Sequence, residues 1–204
     1  MAVSLDKVKQ LREETQAGIV ECKNALDKAD GDIAEAKKIL RKKGLKLAEK
    51  KSGKQTNQGI IASYVHHNRR VGTLVEVQCQ SDFVARNQEF VEFAQQVAMH
   101  VAAFDPSWVA PEDVPEADLK EEEAVLRSQA EREGKPAHIV DKIIEGRMKK
   151  FYQRYCLLNQ AFLKDEEKTV GDVVRELVAR VGENIRISRF IRFELQGLRE
   201  DSSE

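Results

Sequence analysis

The fold class can be inferred from residues 71–79, which read Val71-Gly72-Thr73-Leu74-Val75-Glu76-Val77-Gln78-Cys79. Every second residue of this stretch is valine, threonine or cysteine, and Glu76 and Gln78 lie on the opposite face. Such alternation predicts a half-buried strand. A similar run over 59–66 precedes it, and the segment 67–70 between the two runs has the length of a hairpin loop. We therefore expect two antiparallel neighbouring strands.

The residues that follow complete an α+β pattern. The clearest helix has apolar residues at i, i+3, i+4, i+7, i+8 and i+11, namely Phe90, Phe93, Ala94, Val97, Ala98 and Val101. Further helices are predicted over 117–133, from 136 to about 156, and after a capping-box sequence at Thr169 and Asp172. A third strand is predicted over 185–195, with its odd-numbered apolar residues on one face.

The N-terminal quarter of the chain has only helical patterns. Three apolar stripes with helical spacing occur within 4–51, separated by breaks at 15–18 and at Gly31. The polar stretch 53–58 has the composition of a linker. The predicted organisation is a three-helix domain over 1–52, a linker over 53–58, an α+β core with a three-stranded antiparallel sheet over 59–197, and a flexible tail over 198–204.

Composition restricts the classes of protein to which the chain can belong. With 204 residues, of which 41% are hydrophobic and 34% charged, it can form a core without disulfides or metals. The most apolar run, 97–104, is shorter than the ~20 residues of a membrane helix, and the first seven residues do not predict a secretory signal. The cysteines are Cys22, Cys79 and Cys156, which lack metal-ligand spacing, so we expect a reducing, cytoplasmic location.

Charge is distributed unevenly along the chain, although the net charge is −1. Residues 1–55 contain 14 basic and 9 acidic side chains, whereas residues 56–204 contain 20 and 26. Nine basic side chains fall within 37–54, against Glu49 alone. Such a run usually forms a solvated helix face, and the alternative is a site for nucleic acid or an acidic partner. Because no aromatic residue interrupts it, the run does not favour single-stranded nucleic acid.

Motifs of catalysis are absent from the sequence. It contains no phosphate loop, nucleophile elbow, HExxH or EF-hand pattern. Cys79 lies near His66, His67 and Asp82 in the sequence and could act as a nucleophile. It shares the apolar face of its strand, however, which favours a buried structural cysteine. His100 lies in an apolar helix stripe, as core histidines do. We therefore expect a binding protein rather than an enzyme, with no cofactor and no metal site.

The segment 81–87, Ser-Asp-Phe-Val-Ala-Arg-Asn, joins the second strand to the long helix. Segments between a strand and a helix often carry function. One interpretation is a helix cap at Ser81 or Asn87 with Phe83 packed seven residues from Phe90, and the residue pattern alone favours it. The other interpretation is that Phe83 projects from the turn beside an exposed Asp82.

Three segments resemble the signatures of the bacterial translation elongation factor Ts family. Residues 81–87 resemble its TDFVA(K/R)N motif, residues 11–26 resemble LRxxTGAGMMDCKKAL, and residues 189–195 resemble its usual ending. The resemblance covers about residues 4–197. It implies an N-terminal domain like the ubiquitin-associated fold, followed by an α+β core that occurs once, as in short members expected to form homodimers.

The resemblance implies a function and a set of site residues. The family is a guanine nucleotide exchange factor for the GTPase elongation factor Tu, which it would bind in the GDP-bound and nucleotide-free states. Ser81, Asp82, Phe83 and Val84 match the segment that binds this partner and dislodges its Mg²⁺. Phe83 would be a wedge between two helices of the GTPase, and Ser81 replaces the family's threonine while keeping a capping hydroxyl.

The resemblance also implies contacts outside that segment. Ile19 and Val20 replace a methionine pair that packs on a helix of the GTPase. Adjacent helical residues point ~100° apart, so we expect one of the two inside and the other exposed. His67 lies where longer members also contact the partner. Gln16 replaces a glycine, and Ile191 replaces a cysteine of some short members, so no intersubunit disulfide is expected.

Two other functions are compatible with parts of the sequence. A nucleic-acid-binding regulator would use residues 37–54, and its affinity would fall steeply with salt. A ubiquitin-type adaptor would use only the N-terminal helices and would leave the core unexplained. The sequence therefore favours an exchange factor without direct contact to nucleic acid or membrane.

Overall fold

The computed structural model describes residues 4–15, 17–134 and 136–195. These residues form a mixture of helices and sheet, so the predicted α+β class is confirmed. Gln16 and the predicted tail over 198–204 lie outside the described residues. The elements, in chain order, are α1 Leu5–Thr15, α2 Ile19–Lys28, α3 Ile33–Ser52, β1 Gln58–Val65, β2 Val71–Cys79, α4 Asp82–Ala85, α5 Gln88–Phe104, α6 Glu116–Arg132, α7 Ala137–Tyr155, β3 Ala161–Phe162, β4 Asp165–Thr169, α8 Val170–Val181 and β5 Ile185–Glu194.

The three predicted N-terminal helices are present and share a small core. Their apolar stripes meet at buried residues that include Leu11, Cys22, Leu26 and Ala36. The third helix begins at an Asp32 cap, which accepts a hydrogen bond from the Glu35 amide at 2.8 Å. It then continues through Gly44, past the end of its apolar stripe. A side chain at residue 44 would place its Cβ 3.0 Å from the Ala179 Cβ, so glycine permits a close approach of α3 and α8.

The main sheet has three antiparallel strands in the order β1-β2-β5. The central strand follows the predicted alternation, because Thr73, Val75 and Val77 are buried and Leu74 is exposed. The prediction of one apolar face for the third strand is wrong. Its odd-numbered residues are buried up to Ile187 but exposed from Arg189 onward, so the alternation changes phase between these two positions.

The helices α6 and α7 form a hairpin with its own core. The buried residues of this core are Leu126, Ala130, Val140, Ile144 and Met148. Two ion pairs join the helices at their surface, Arg127 to Asp141 at 2.8 Å and Arg147 to Glu133 at 2.7 Å. A second short hairpin, β3–β4, was not predicted, because the β4 sequence Asp-Glu-Glu-Lys-Thr has no apolar alternation.

Tertiary contacts divide the chain into two compact units. They comprise residues 1–60, 78–91 and 173–186 in the first unit and residues 61–77, 92–172 and 187–204 in the second. The first unit therefore contains the N-terminal helices, the segment 81–87 and most of α8. The domain boundaries inferred from the sequence follow chain order rather than contacts, and they stay a prediction.

The fully buried His100 has a polar partner for each ring nitrogen. Its Nε2 hydrogen-bonds the Gln160 Oε1 at 2.9 Å, and its Nδ1 accepts from the Leu163 amide at 3.2 Å. The ring stacks on Phe104 with centroids 4.6 Å apart. Burial lowers the pKa of His100 below its ordinary value of 6.5, the Gln160 contact opposing this shift only in part. The expectation of a core histidine is confirmed.

We expect this histidine to make stability depend on pH. Because its folded pKa lies below its unfolded pKa, the stabilisation is complete above about pH 6.5 and is lost as pH falls through the lowered value. Urea unfolding at pH 8 to 5 should show a decline in the free energy of unfolding on the acid side. His100→Gln does not titrate and should show a shallower decline, and equal slopes in both proteins would contradict the assignment.

Candidate functional site

The segment 81–87 forms a short turn of helix between β2 and α5. Ser81 is the N-cap of α4, and its Oγ accepts from the Val84 amide at 3.4 Å. Glu183 accepts two hydrogen bonds from the same serine, from the amide at 3.0 Å and from the hydroxyl at 2.7 Å. The start of the turn is therefore held by a local cap and by a carboxylate that is distant in the sequence.

This turn directs Phe83 into solvent. Val84 and Ala85 are buried, whereas the Phe83 side chain is 84% exposed. At 100° per residue, Phe83 lies about 150° from the centre of the buried face, so it cannot share that face. The interpretation that Phe83 packs near Phe90 is wrong, and the projecting interpretation agrees with its exposure.

The other residues of the predicted site differ in accessibility. Asp82 is exposed, and its carboxylate lies 3.2 Å from the guanidinium of Arg86, which is also exposed. Such a solvated i,i+4 pair contributes little to stability. Val84 is buried, so it anchors the turn from within. The surface that the segment presents is therefore an aromatic ring beside a carboxylate.

The expectation that either Ile19 or Val20 packs inside is wrong. The side chains are 56% and 70% exposed, respectively. The buried face of α2 is formed by Cys22, Ala25 and Leu26. Ile19 lies about 70° from the centre of this face and Val20 nearly opposite to it. Both residues belong to the first turn of α2, so this turn exposes two adjacent aliphatic side chains.

His67 lies in the tight turn between β1 and β2, in the second compact unit. Its side chain is exposed, and its ring centroid is 4.2 Å from that of His66. The Nδ1 atom of His66 is 3.0 Å from the Tyr64 hydroxyl. The turn is closed by a hydrogen bond from the His66 amide to the Val71 carbonyl at 2.9 Å. His67 is thus accessible on a firmly closed hairpin.

The nucleophile hypothesis for Cys79 is wrong. The residue is buried, and its thiol donates to the Ser81 carbonyl at 3.2 Å. Burial, with a smaller contribution from the charge of Glu183, raises the pKa of the Cys79 thiol to about 11. The thiol is therefore neutral near pH 7. Cys22 and Cys156 are also buried and reduced.

The described part of the chain has neither a metal-binding cluster nor a membrane-spanning helix. Among its side chains, no group of three or more histidines, cysteines or carboxylates is placed to hold a metal ion. None of its helices is long and apolar enough to cross a membrane.

The basic run lies mostly on α3. Lys43 pairs with Glu21 at 2.7 Å and Lys38 with Glu35 at 3.1 Å, so some of its charge is neutralised within the N-terminal helices. Lys42 and Lys46 are exposed, one helical turn apart. The run therefore behaves in part as the solvated face that its composition favours.

Glu183 and Asn184, which follow α8, could not be recognised as functional residues from the sequence. Asn184 is buried, and its amide nitrogen donates to the carbonyls of Ser52 at 3.1 Å and Lys54 at 2.8 Å. The sequence shows only a helix stop at Gly182 here. Neither residue belongs to a motif, and the pairing of Glu183 with Ser81 joins positions 102 residues apart.

Comparison with known proteins agrees with the sequence motifs. A family model described as elongation factor TS matches residues 4–197. Elongation factor Ts of Thermosipho melanesiensis is 50% identical over 191 residues, which cover 94% of this chain and 97% of the relative. Elongation factor Ts of Rubrobacter xylanophilus is 51% identical over 195 residues, covering 96% of this chain and all of the relative. The chain therefore belongs to the elongation factor Ts family of translation elongation factors.

Proposed function

We propose that the chain is a guanine nucleotide exchange factor for elongation factor Tu. It would bind the GDP-bound GTPase, dislodge Mg²⁺ and promote GDP release, so that GTP can bind during translation elongation. The observation that best supports this proposal is the exposed Phe83 ring on an anchored turn. A free protein gains nothing from exposing so large an apolar ring, whereas a ring inserted into a partner is removed from water.

The exposed ring supports exchange only if it prefers one state of the GTPase. A ligand that binds two states equally cannot shift the equilibrium between them. If Phe83 is buried only when the nucleotide site is open, its burial stabilises that open state selectively. By linkage, GDP must then weaken the binding of the factor by the same ratio. Binding of either ligand therefore favours release of the other.

In the proposed activity, the nucleotide binds to the partner GTPase and not to this chain. The chain would act by binding, with no cofactor or metal of its own and no direct contact with nucleic acid or membrane. It would therefore not be an enzyme with its own active site. We place it in the cytoplasm, where translation factors meet ribosomes.

Stopped-flow release of fluorescently labelled GDP tests the proposal. Elongation factor Tu loaded with labelled GDP is mixed with excess unlabelled GDP, with and without the protein. We expect the release rate to rise with the concentration of the protein and then to saturate. A release rate that is independent of the protein at all concentrations would refute the exchange function.

We expect the first turn of α2 to contribute to the affinity for the GTPase. Val20→Asp places a charge where an aliphatic contact would form, and it should weaken binding about tenfold, because burial of an unpaired carboxylate is unfavourable. Since Val20 is 70% exposed, the variant should fold normally. Calorimetric titration measures the affinity. An unchanged affinity would remove this turn from the interface.

We also propose that the protein forms a non-covalent homodimer through the outer face of its sheet. This face carries exposed apolar side chains on all three strands, which are Ile61, Val65, Leu74, Ile191 and Phe193. Monomeric proteins rarely expose a contiguous apolar patch of this kind. A closed two-fold dimer would cover the same face on both copies. The proposal needs no disulfide, since all three cysteines are buried.

Light scattering at micromolar concentration tests the homodimer. We expect a dimer with or without reductant, and we expect Phe193→Asp to be monomeric, because each copy would bury an unpaired carboxylate in the interface. Phe83→Asp is the matched control, since it changes a phenylalanine that lies outside the sheet and is even more exposed than Phe193, and it should remain dimeric. A monomeric unmodified protein, or a dimer that reductant dissociates, would contradict the proposal.

A further inference from the structure

The loop after α8 contacts two separate parts of the first compact unit. The helix ends at Gly182, whose φ of +74° suits glycine and whose amide donates to the Val178 carbonyl at 2.9 Å. The next two residues, Glu183 and Asn184, hydrogen-bond to different segments. Neither of these contacts is needed to end the helix, which is already complete at Gly182.

Glu183 determines the geometry at the start of the α4 turn. Its carboxylate accepts from both the amide and the hydroxyl of Ser81. Charge-assisted hydrogen bonds of this kind are stronger than neutral ones. Because the same hydroxyl oxygen caps the Val84 amide, the carboxylate also fixes the cap. Phe83 lies between Ser81 and Val84, so the direction of the Phe83 side chain depends on these hydrogen bonds.

Asn184 fixes the end of α3. Its amide nitrogen donates to the carbonyl of Ser52, the last residue of the helix, and to that of Lys54 just beyond it. Asn184 is almost fully buried, so its amide nitrogen would be left without a partner if these two carbonyls moved away. The N-terminal helices are thereby attached at their C-terminal end to the same loop that holds Ser81.

The body of α8 reinforces the two attachments. Gly44 permits the close approach of α3 to Ala179, and Arg180 pairs with Glu89 at the start of α5 at 2.9 Å. The segments before and after the exposed ring are therefore both attached to α8 and the residues that follow it.

We propose that Glu183 and Asn184 are positioning residues that hold the Phe83 turn and the N-terminal helices in one binding-ready arrangement. This inference rests on the proposed exchange function, because it assigns both Phe83 and the first turn of α2 to the interface. Two contact regions that are already ordered lose less conformational freedom on binding. Removal of either attachment should therefore impair exchange without removing any contact residue.

The Glu183 attachment can be tested first in the free protein. Glu183→Gln keeps one oxygen acceptor and Glu183→Ala keeps none. We expect hydrogen exchange at the Ser81 and Val84 amides to be about tenfold faster in the alanine variant and intermediate in the glutamine variant, because fewer bonds hold the cap. The exposed Glu166 on β4 provides the control, Glu166→Ala. Unchanged protection in Glu183→Ala would overturn the proposal.

A double-mutant cycle then tests whether Glu183 acts through Phe83. Glu183→Ala alone should slow saturated GDP release about tenfold, or about 1.4 kcal/mol. In a Phe83→Ala background the same change should have less than about a twofold further effect, since the ring to be positioned is absent. An equal effect in both backgrounds would show that Glu183 acts elsewhere and would overturn the positioning role.

The role of Asn184 can be tested independently, by proteolysis of the free protein and by its affinity for the GTPase. Asn184→Asp replaces the amide donor with a carboxylate that faces the carbonyls of Ser52 and Lys54. Because the end of α3 should then open more easily, we expect trypsin to cleave after Lys54 about tenfold faster. The affinity for the GTPase should fall, and Val20→Asp should then add little. Unchanged cleavage and affinity would overturn this half of the proposal. These readouts on the free protein are separate from GDP release, which in the unmodified protein tests the exchange function itself.

Discussion

Phe83→Ala is expected to slow GDP release from elongation factor Tu at least tenfold while leaving the free protein nearly as stable as before. The side chain is 84% exposed, so its removal should change the free energy of unfolding by about 0.5 kcal/mol or less. Tenfold in rate corresponds to about 1.4 kcal/mol of activation free energy. The ring would contribute this energy only when the GTPase buries it, so the loss should appear in exchange alone.

Stopped-flow kinetics and thermal unfolding of the same variant measure the two effects. Asp82→Ala is the neighbouring comparison and should slow release less, because an exposed carboxylate paired with Arg86 contributes little. Phe83→Leu should restore part of the rate, since it returns apolar area. A large fall in melting temperature with unchanged exchange per folded molecule would instead assign Phe83 to the core.

Phe90→Ala should give the reverse pattern. This phenylalanine lies seven residues further on and is fully buried near the start of α5. Truncation of a buried phenylalanine leaves a cavity in addition to the lost transfer free energy, and it typically costs about 3–5 kcal/mol. For a chain of this length that corresponds to a fall in melting temperature of about 6–20 °C.

Exchange per folded molecule separates Phe90→Ala from Phe83→Ala. At a temperature where the Phe90 variant is still folded, we expect GDP release close to that of the unmodified protein, because residue 90 does not reach the surface. Phe90→Leu should recover a large share of the lost stability. A stable Phe90→Ala variant with slow exchange would show that the buried and exposed positions have been interchanged.

Elements with long, regular periodicity could be predicted from the sequence. The apolar stripe from Phe90 to Val101 predicted α5. Thr169 and Asp172 predicted the start of α8, where the side chain of each accepts a hydrogen bond from the backbone amide of the other. The strand β4 could not be predicted, since its sequence is polar throughout. The phase change within β5 was also missed, because period-two alternation gives no sign of where it is interrupted.

The candidate site was only partly predictable. The cap at Ser81 follows from a local rule, and the sequence left two directions open for Phe83. The buried face of α4 decides between them, and that face depends on packing by distant residues. Glu183 could not be recognised, because a carboxylate after a helix stop is ordinary and its partner is 102 residues away. Local sequence patterns thus identified the segment 81–87 but not Glu183, which holds its first residue.

The distance in sequence between Ser81 and Glu183 has a consequence for the order of folding. Contacts that are distant in sequence form late, because the intervening chain must first be ordered. During synthesis, Ser81 leaves the ribosome well before Glu183 has been made. In the same way, β2 cannot pair with β5 until the later strand has been made. Pulse-labelled hydrogen exchange during refolding should show protection of the Ser81 amide after that of α1–α3. A nascent chain would then engage the GTPase poorly until the segment from Glu183 through β5 has been made and has folded onto the Ser81 turn.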